Sequence, residues 1–365
     1  MGGIPITLGY LFLGIVSFFI HLNRANYNLN SSRYFSFLFL MPFQIIILST
    51  LIINGSSGDR GMTVSLLINF FFLPYVFFLL LSQNIETLDL DKFFKLFKKG
   101  IYLISIYGIF LFIFKQITGK FIEIPFLTTN LSDFGKLEDK CIDRGFAFKL
   151  ISTYNNGNLY GICLLILLPL YCYLENSSWK KVIVKTSIFL TLSRTSWAGL
   201  LFYELCYNCF IEKGRNRIFK LLIILSFFIS MISILLFYYN IPLDFIFDSN
   251  LGGRRVSFNV FQDLALFPTR AFEGISEIVY TGILYSFGVI GLITFLMGMT
   301  GSLTLRLLKG HLNKIQMSMC LGLVNYLFIS CSDGGILYIP VMAFFWFLCS
   351  LLTRKNLPEQ KSCKN

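Results

Sequence analysis

Apolar stretches long enough to cross a membrane recur along almost the whole chain. A transmembrane helix needs about 20 mainly apolar residues. Across 365 residues, 55% are hydrophobic and only 14% are charged, whereas soluble domains have about 25% charged residues. The polar segments between the apolar stretches are mostly too short to fold alone. The sequence therefore predicts an all-α, polytopic integral membrane protein whose single transmembrane domain covers 1–365.

The apolar stretches predict about 11 transmembrane helices. The first begins near the amino terminus without the charged start or small-residue cleavage site of a secretory signal, so it is interpreted as a retained span. The predicted spans are 6–21, 34–53, 62–81, 100–117, 158–174, 182–193, 195–211, 220–239, 278–303, 315–332 and 336–352.

Lysine and arginine are concentrated in alternate short connections, and such connections are usually cytoplasmic. The amino terminus is then outside and the carboxyl terminus inside. The same bias accounts for the formal net charge of +12 without a nucleic-acid partner. The cations concerned are Arg24, Arg33, Lys92, Lys95, Lys98, Lys99, Lys180, Lys181, Lys213, Arg215, Arg217, Arg306, Lys309, Lys314, Arg354 and Lys355.

The stretch from Val182 to Ile211 is either one long helix or two short helices that meet near Arg194. One helix would reverse every later segment, so the charge bias favours two. Residues 182–193 then rise only about 18 Å, against a hydrocarbon core of about 30 Å. We expect Arg194 to lie below the outer surface, in a wet or protein-lined recess.

A charged side chain within an apolar stretch costs about 2.5–3.5 kcal/mol, which normally implies a partner or a ligand. An ion pair is one interpretation for Arg194, but the nearest acidic residue, Glu204, lies toward the opposite membrane face. Guanidinium groups form paired hydrogen bonds with phosphate. We therefore prefer an anionic substrate as the partner of Arg194.

Two long connections, 118–157 and 240–277, lie on the outer side in this topology and hold most of the non-cytoplasmic polar residues. Long loops are commonly functional or disordered. Arg144 and Asn156 in the first loop are candidate substrate ligands, although Asn156 also suits a helix cap. The second loop contains three further arginines, Arg254, Arg255 and Arg270. They could join Arg194 around a diphosphate, or they could pair with acidic residues such as Asp263.

Neither long loop contains a histidine, since the two in the chain are His21 and His311. Any proton abstraction there requires a carboxylate. Glu277 is the first candidate for the base, because burial at the foot of a span would raise its pKa. Glu273 and Asp333 are the reserves, and a structural role is the alternative for each. Glu273 is also a candidate substrate ligand.

Other chemistries lack their sequence signatures. No phosphate-binding loop, dinucleotide-binding glycine pattern, zinc motif or serine-nucleophile elbow is present. The nine cysteines form no disulfide framework. We expect neither a metal nor a cofactor.

Three segments resemble the bacterial O-antigen polymerase and O-antigen ligase superfamily, often called Wzy-type. The first, 192–200, contains Ser193-Arg194 in an apolar setting. The second runs from Gly253-Arg254 to the Gly-Val-Ile-Gly-Leu stretch at 288–292. The third, 156–170, enters a span that ends in Leu-Pro-Leu. Together they cover roughly 140–300 of the chain.

The resemblance implies a metal-independent glycosyltransferase in the bacterial inner membrane, where it is in contact with membrane lipid. Such a polymerase joins oligosaccharide units carried on undecaprenyl pyrophosphate at the periplasmic face. It implies that Arg194 and Arg254 bind the pyrophosphate, with Arg255 sharing the role. It leaves a chain-length regulator protein open as a partner.

Two alternative functions remain at this point. One is an O-antigen ligase, which transfers glycan to lipid A-core. Ligases of the superfamily usually carry a histidine where this chain has Glu277, which favours the polymerase. The other is a flippase for lipid-linked sugars, whose arginines would line a translocation path.

Overall fold

The computed structural model describes residues 8–22, 30–125, 127–128, 134–135, 148–154, 156–211, 251–355 and 357, together with scattered positions between 222 and 237. Within these residues the secondary structure is helical and contains no strand, although Ser56 and Phe272 form an isolated β-bridge. The predicted all-α class is confirmed.

Most predicted spans correspond to helices. The helices are α1 (Leu8–Leu22), α2 (Ser31–Ile53), α3 (Arg60–Leu80), α4 (Ser82–Thr87), α5 (Leu90–Thr118), α6 (Gly157–Leu174), α7 (Ser178–Phe189), α8 (Arg194–Phe210), a 3₁₀ helix (Leu251–Phe261), α9 (Val279–Leu308), α10 (Lys314–Ile329) and α11 (Ile339–Leu352). Five of the described helices, α2, α3, α5, α6 and α9, are long and apolar enough to cross a membrane. These are the helices of a membrane-embedded protein. The predicted span 220–239 lies largely outside the described residues.

The chain divides into two compact units. Unit 1 comprises 1–89, 254–316 and 330–365, and unit 2 comprises 90–253 and 317–329. Each unit is considered by itself below.

In unit 1, α2 and α9 pack closely because α9 presents glycines to α2. A Cβ atom at Gly298 would lie 2.6 Å from a side-chain carbon of Leu40, and one at Gly301 would lie 2.8 Å from Phe39. Small residues of this kind let helix backbones approach one another within membranes. The Phe43 ring on α2 completes the contact at 5.3–5.5 Å from two phenylalanine rings of α9.

Helix α9 is interrupted at Gly288, whose backbone angles are φ 71° and ψ −175°. This region of backbone space is essentially restricted to glycine. The amides of Val289 and Ile290 donate to the carbonyls of Ala265 and Leu266 at 3.0 and 3.1 Å. The connection before α9 therefore caps its second part, 289–308, which at about 30 Å is as long as the hydrocarbon core is thick.

Helix α3 contains two π-helical stretches, the first at Ile68–Phe72. Such turns disturb the regular backbone ladder, and side chains of neighbouring helices bond to the carbonyls there. Gln44 Nε2 donates to the Phe70 carbonyl at 2.6 Å, and Trp346 Nε1 donates to the Asn69 carbonyl at 2.8 Å. Side chains from α2 and α11 thus bond directly to the α3 backbone.

An ion pair between a buried arginine and a partly exposed glutamate joins helix ends at the start of α2. Arg33 is 0% exposed, and its Nη2 lies 3.1 Å from Glu86 Oε1. The same guanidinium donates to the carbonyls of Ser82 at 2.5 Å and Ser350 at 3.2 Å. Asn30, the N-cap of α2, donates to Glu86 Oε1 at 2.6 Å. This cluster links the ends of α2, α4 and α11.

In unit 2, 89% of the 18 residues of α6 are buried. Helices α5, α7 and α8 pack against α6. Gly161 of α6 leaves room for the Ser196 side chain of α8. A Cβ atom at Gly199 of α8 would lie 2.7 Å from a side-chain carbon of Leu165. Glycines on both helices therefore permit their close contact.

Candidate functional site

The apolar stretch around Arg194 folds as two helices, as its charge pattern predicted. Helix α7 ends at Phe189 and α8 begins at Arg194. Leu192 in the turn has a φ of 51°, a value that is uncommon for a residue other than glycine. Ser193 is the N-cap of α8, and its side chain accepts a hydrogen bond from the Ser196 amide at 3.4 Å. A tight turn thus fixes the backbone at Arg194.

Further contacts hold this turn on both sides. Trp197 Nε1 donates to the carbonyl of Phe189 at 2.8 Å, and the two rings stack at 5.1 Å. The Leu150 amide, from the end of the first long loop, donates to the Leu190 carbonyl at 2.9 Å. The first loop and the turn before α8 therefore meet at one end of unit 2.

The position of Arg194 suits an anion. Its side chain is half-buried at the first residue of α8, where the helix dipole favours negative charge. Glu204, the acidic residue that sequence reasoning placed toward the other membrane face, lies 2.5 Å from Lys185 Nζ of α7.

Lys149 is a second cation at this end of unit 2, and sequence reasoning missed it. It is 8% exposed, and its Nζ donates to Asn158 Oδ1 at 3.5 Å. Asn156 is the N-cap of α6 and accepts from the Asn158 amide at 2.9 Å. Gly157 is required there because a Cβ atom would lie 2.6 Å from the Leu150 carbonyl oxygen. The capping role of Asn156, which the sequence left open, is observed.

The amino termini of α6 and α8 lie at the same end of unit 2. Gly161, early in α6, contacts Ser196 in the first turn of α8, and Leu150 bonds to Leu190. For Lys149 the sequence offered no signal beyond its charge and its position seven residues before Asn156. Unit 2 therefore places two helix amino termini at one end, with Arg194 at the start of one helix and Lys149 in the segment that leads into the other.

Unit 1 contains a cavity of about 340 Å³, called here the unit 1 pocket. Arg270 is one of its lining residues, and its Nη2 lies 3.6 Å from Asp263 Oδ2. The guanidinium carbon lies 4.9 Å from the centre of the Tyr285 ring. The contacts with Tyr285, and then the Asp263 charge, raise the pKa of Arg270. The pocket is lined by Ser257, Asn259, Val260, Asp263, Ala265, Thr269, Arg270, Gly274, Ser276, Thr281, Gly282, Leu284 and Tyr285.

The remaining sequence-predicted ligands are distributed as follows. Arg255 is exposed on the 3₁₀ helix of unit 1. Arg254 belongs to the same helix, but its side chain lies outside the described residues, as does the whole of Arg144. Glu273 is exposed, and its backbone carbonyl packs against Gly58.

Glu277 is exposed, so the predicted burial of this carboxylate is wrong. It precedes Ile278, the N-cap of α9. The Gly334 amide donates to its backbone carbonyl at 3.2 Å, which fixes the main chain outside the helix packing and leaves the side chain in contact with solvent.

Asp333, a reserve candidate, is the buried carboxylate, with 7% exposure. The hydrogen bond from Gly334 to Glu277 brings the two acidic residues together, and both act electrostatically on the Tyr338 hydroxyl. Within the described ranges, no three His, Cys, Asp or Glu side chains come together as a metal-binding group.

Comparison with known proteins adds no relative. No protein-family model, curated protein or solved structure matches the chain. The residues and geometry above are therefore the basis for a functional proposal.

Proposed function

We propose that this protein is a polymerase of O-antigen or a related bacterial surface polysaccharide. It joins undecaprenyl-pyrophosphate-linked oligosaccharide units at the periplasmic face of the inner membrane, within a topology of about 11 crossings. One observation carries the proposal: Arg194 begins a helix directly after α7, whose 12 residues are too few to cross a bilayer.

In the proposed orientation, α7 rises from the cytoplasmic side by about 18 Å. Arg194 is then sunk beneath the periplasmic surface, close to the level that lipid-linked diphosphates occupy. Lys149 and the amino termini of α6 and α8 add positive potential at the same end of unit 2. This positive potential favours the binding of a polyprenyl diphosphate at this end.

The reaction is a glycosyl transfer. A hydroxyl of one lipid-linked unit attacks the anomeric carbon of another, a new C–O bond forms, and the bond to the pyrophosphate breaks. The electron pair leaves with the pyrophosphate, whose increasing charge Arg194 stabilises. By the resemblance, Arg254 and Arg255 share that role. The hydroxyl proton passes to a carboxylate base, for which Glu277 and Asp333 are the candidates.

Glu277 is the proposed base, because it is the solvent-accessible one of the two candidates and adjoins Ser276 of the unit 1 pocket. Glu277→Gln should lower the polymerisation rate by about 10²–10⁴-fold, measured as glycan length against time with purified protein. Asp91→Asn, which removes an exposed carboxylate from the first turn of α5, is the matched control. If only Asp333→Asn abolishes activity, the base is Asp333 and the Glu277 assignment is wrong.

Reconstitution tests the function itself. Purified protein in liposomes, supplied with lipid-linked repeat units, should extend the glycans. Movement of units between leaflets without extension would identify a transporter instead. A polysaccharide gel of the deletion strain separates the ligase, because loss of a polymerase leaves one repeat on lipid A-core whereas loss of a ligase leaves none.

A further inference from the structure

The unit 1 pocket has the size and wall of a ligand site. Its volume of about 340 Å³ lies at the lower end of the range of about 300–1,000 Å³ for ligand pockets. The first turns of α9 form one wall, against which the backbone of 274–276 packs closely. A Cβ atom at Gly282 would lie 2.6 Å from the Ser276 amide nitrogen, and Gly274 has a φ of 140°. Both glycines are needed to hold this wall in place.

Among the described residues that line the pocket, the charges are balanced. Arg270 and Asp263 lie 3.6 Å apart, so a phosphate group approaching the guanidinium also meets a carboxylate. A guanidinium only donates hydrogen bonds and an ionised carboxylate only accepts them. Neighbouring hydroxyl groups on a sugar ring both donate and accept. The pair therefore complements a neutral polyol better than it complements a diphosphate.

Further polar groups face the same space. The hydroxyls of Ser276 and Thr281 are both held by the Ile278 carbonyl, at 2.9 and 3.0 Å. Across the part of the chain that the structure describes, the side chains of Asn259 and Thr269 have no hydrogen-bond partner. These two groups remain able to bond to a bound hydroxyl-rich molecule.

Large apolar side chains stand exposed beside the pocket. Three of them, in the 3₁₀ helix and the connection that follows it, are each more than half exposed: Phe261, Leu264 and Phe267. This connection caps the part of α9 whose length matches the hydrocarbon core. Aromatic and apolar side chains at such a level are typical of the membrane boundary, where a sugar attached to a lipid carrier is presented.

We propose that the unit 1 pocket binds a neutral sugar residue of the lipid-linked glycan through the Arg270–Asp263 pair, with Asn259 and Thr269 as further ligands. The choice of a glycan rests on the proposed function. The assignment moves Arg270 from diphosphate binding to sugar binding.

Binding is measured by saturation-transfer NMR on the full chain in nanodiscs prepared without sugar-containing detergents. The probes are free glucose, galactose and N-acetylglucosamine, with glucuronate and inorganic pyrophosphate for comparison. At least one neutral sugar should bind, and Arg270→Gln should weaken its binding about tenfold, because a charged hydrogen-bonding group is lost. Asp263→Asn should also weaken it and should newly permit pyrophosphate binding at this pocket. Gln262→Ala, an exposed polar neighbour outside the lining, is the control.

Neutral-sugar binding that is unchanged in both Arg270→Gln and Asp263→Asn, or no binding of any neutral sugar by the unmodified chain, would overturn the inference. So would pyrophosphate binding by the unmodified chain that Arg270→Gln removes. The melting temperature of each variant identifies loss of folding, and Asn259→Ala provides a milder variant if a charge change unfolds the protein. If the protein extends glycans but does not bind sugar at this pocket, the sugar-site proposal is wrong and the polymerase proposal stands. If sugar binding depends on the pocket but no glycan is extended, the polymerase proposal is wrong and the sugar-site proposal stands.

Discussion

Replacing Arg194 with alanine is expected to reduce long polysaccharide chains to single repeat units, while the protein remains in the membrane. The substitution removes the guanidinium proposed to stabilise the departing pyrophosphate. Loss of one such electrostatic contact commonly lowers the rate by about 10²–10³-fold. A polysaccharide gel of a complemented deletion strain measures the chain length, and immunoblotting of membranes measures the protein.

Two matched variants sharpen the test. Arg194→Lys keeps the charge but loses the two-pronged geometry, so we expect intermediate chain lengths. Arg60→Ala removes another arginine from the first residue of a helix, α3, where the side chain is exposed, and chain length should not change. Normal chains in Arg194→Ala at equal protein levels would refute the proposed role.

Glu86→Gln is expected to have the largest effect on stability. Arg33 is fully buried beside this carboxylate, and the substitution leaves its charge without a counter-ion. Breaking a buried ion pair in this way costs about 3–5 kcal/mol. We expect a marked fall in the apparent melting temperature. Fluorescence-detected size-exclusion chromatography after heating in detergent measures it.

The exposed Arg270–Asp263 pair provides the contrast. Asp263→Asn breaks an ion pair whose carboxylate side chain is 76% exposed, and exposed pairs contribute little, so the melting temperature should not change measurably. Replacing Arg33 and Glu86 together with methionine removes both charges and should recover part of the lost stability. If the Glu86→Gln protein melts at the same temperature as the unmodified protein, the stabilising role of the Arg33–Glu86 ion pair is contradicted.

Local sequence patterns predicted most of the long apolar helices that the structure describes, and the turn at Arg194. Apolar length and charge bias act over about 20 neighbouring residues, so one segment contains its own signal. The two-helix interpretation needed only the distribution of Lys and Arg on either side of Arg194, and it is confirmed.

Features that depend on distant parts of the chain were not predictable in this way. The sequence identified Gly288 only as part of a motif and did not predict the break in α9. That break depends on hydrogen bonds to the carbonyls of Ala265 and Leu266, which lie more than 20 residues earlier in the chain. The exposure of Glu277 likewise depends on a hydrogen bond from Gly334. Burial of Lys149 follows from its packing beside the entry into α6, which neither its type nor its spacing specifies.

The break at Gly288 also limits how this protein can diversify. The connection that caps α9 is at the same time a wall of the unit 1 pocket, so inserting or deleting residues in 262–268 would displace the carbonyls that hold Val289 and Ile290. New glycan specificities would therefore arise through substitutions in this connection, without a change in its length. Homologues with different glycans should differ here in residue type while keeping the same number of residues between the 3₁₀ helix and Gly288.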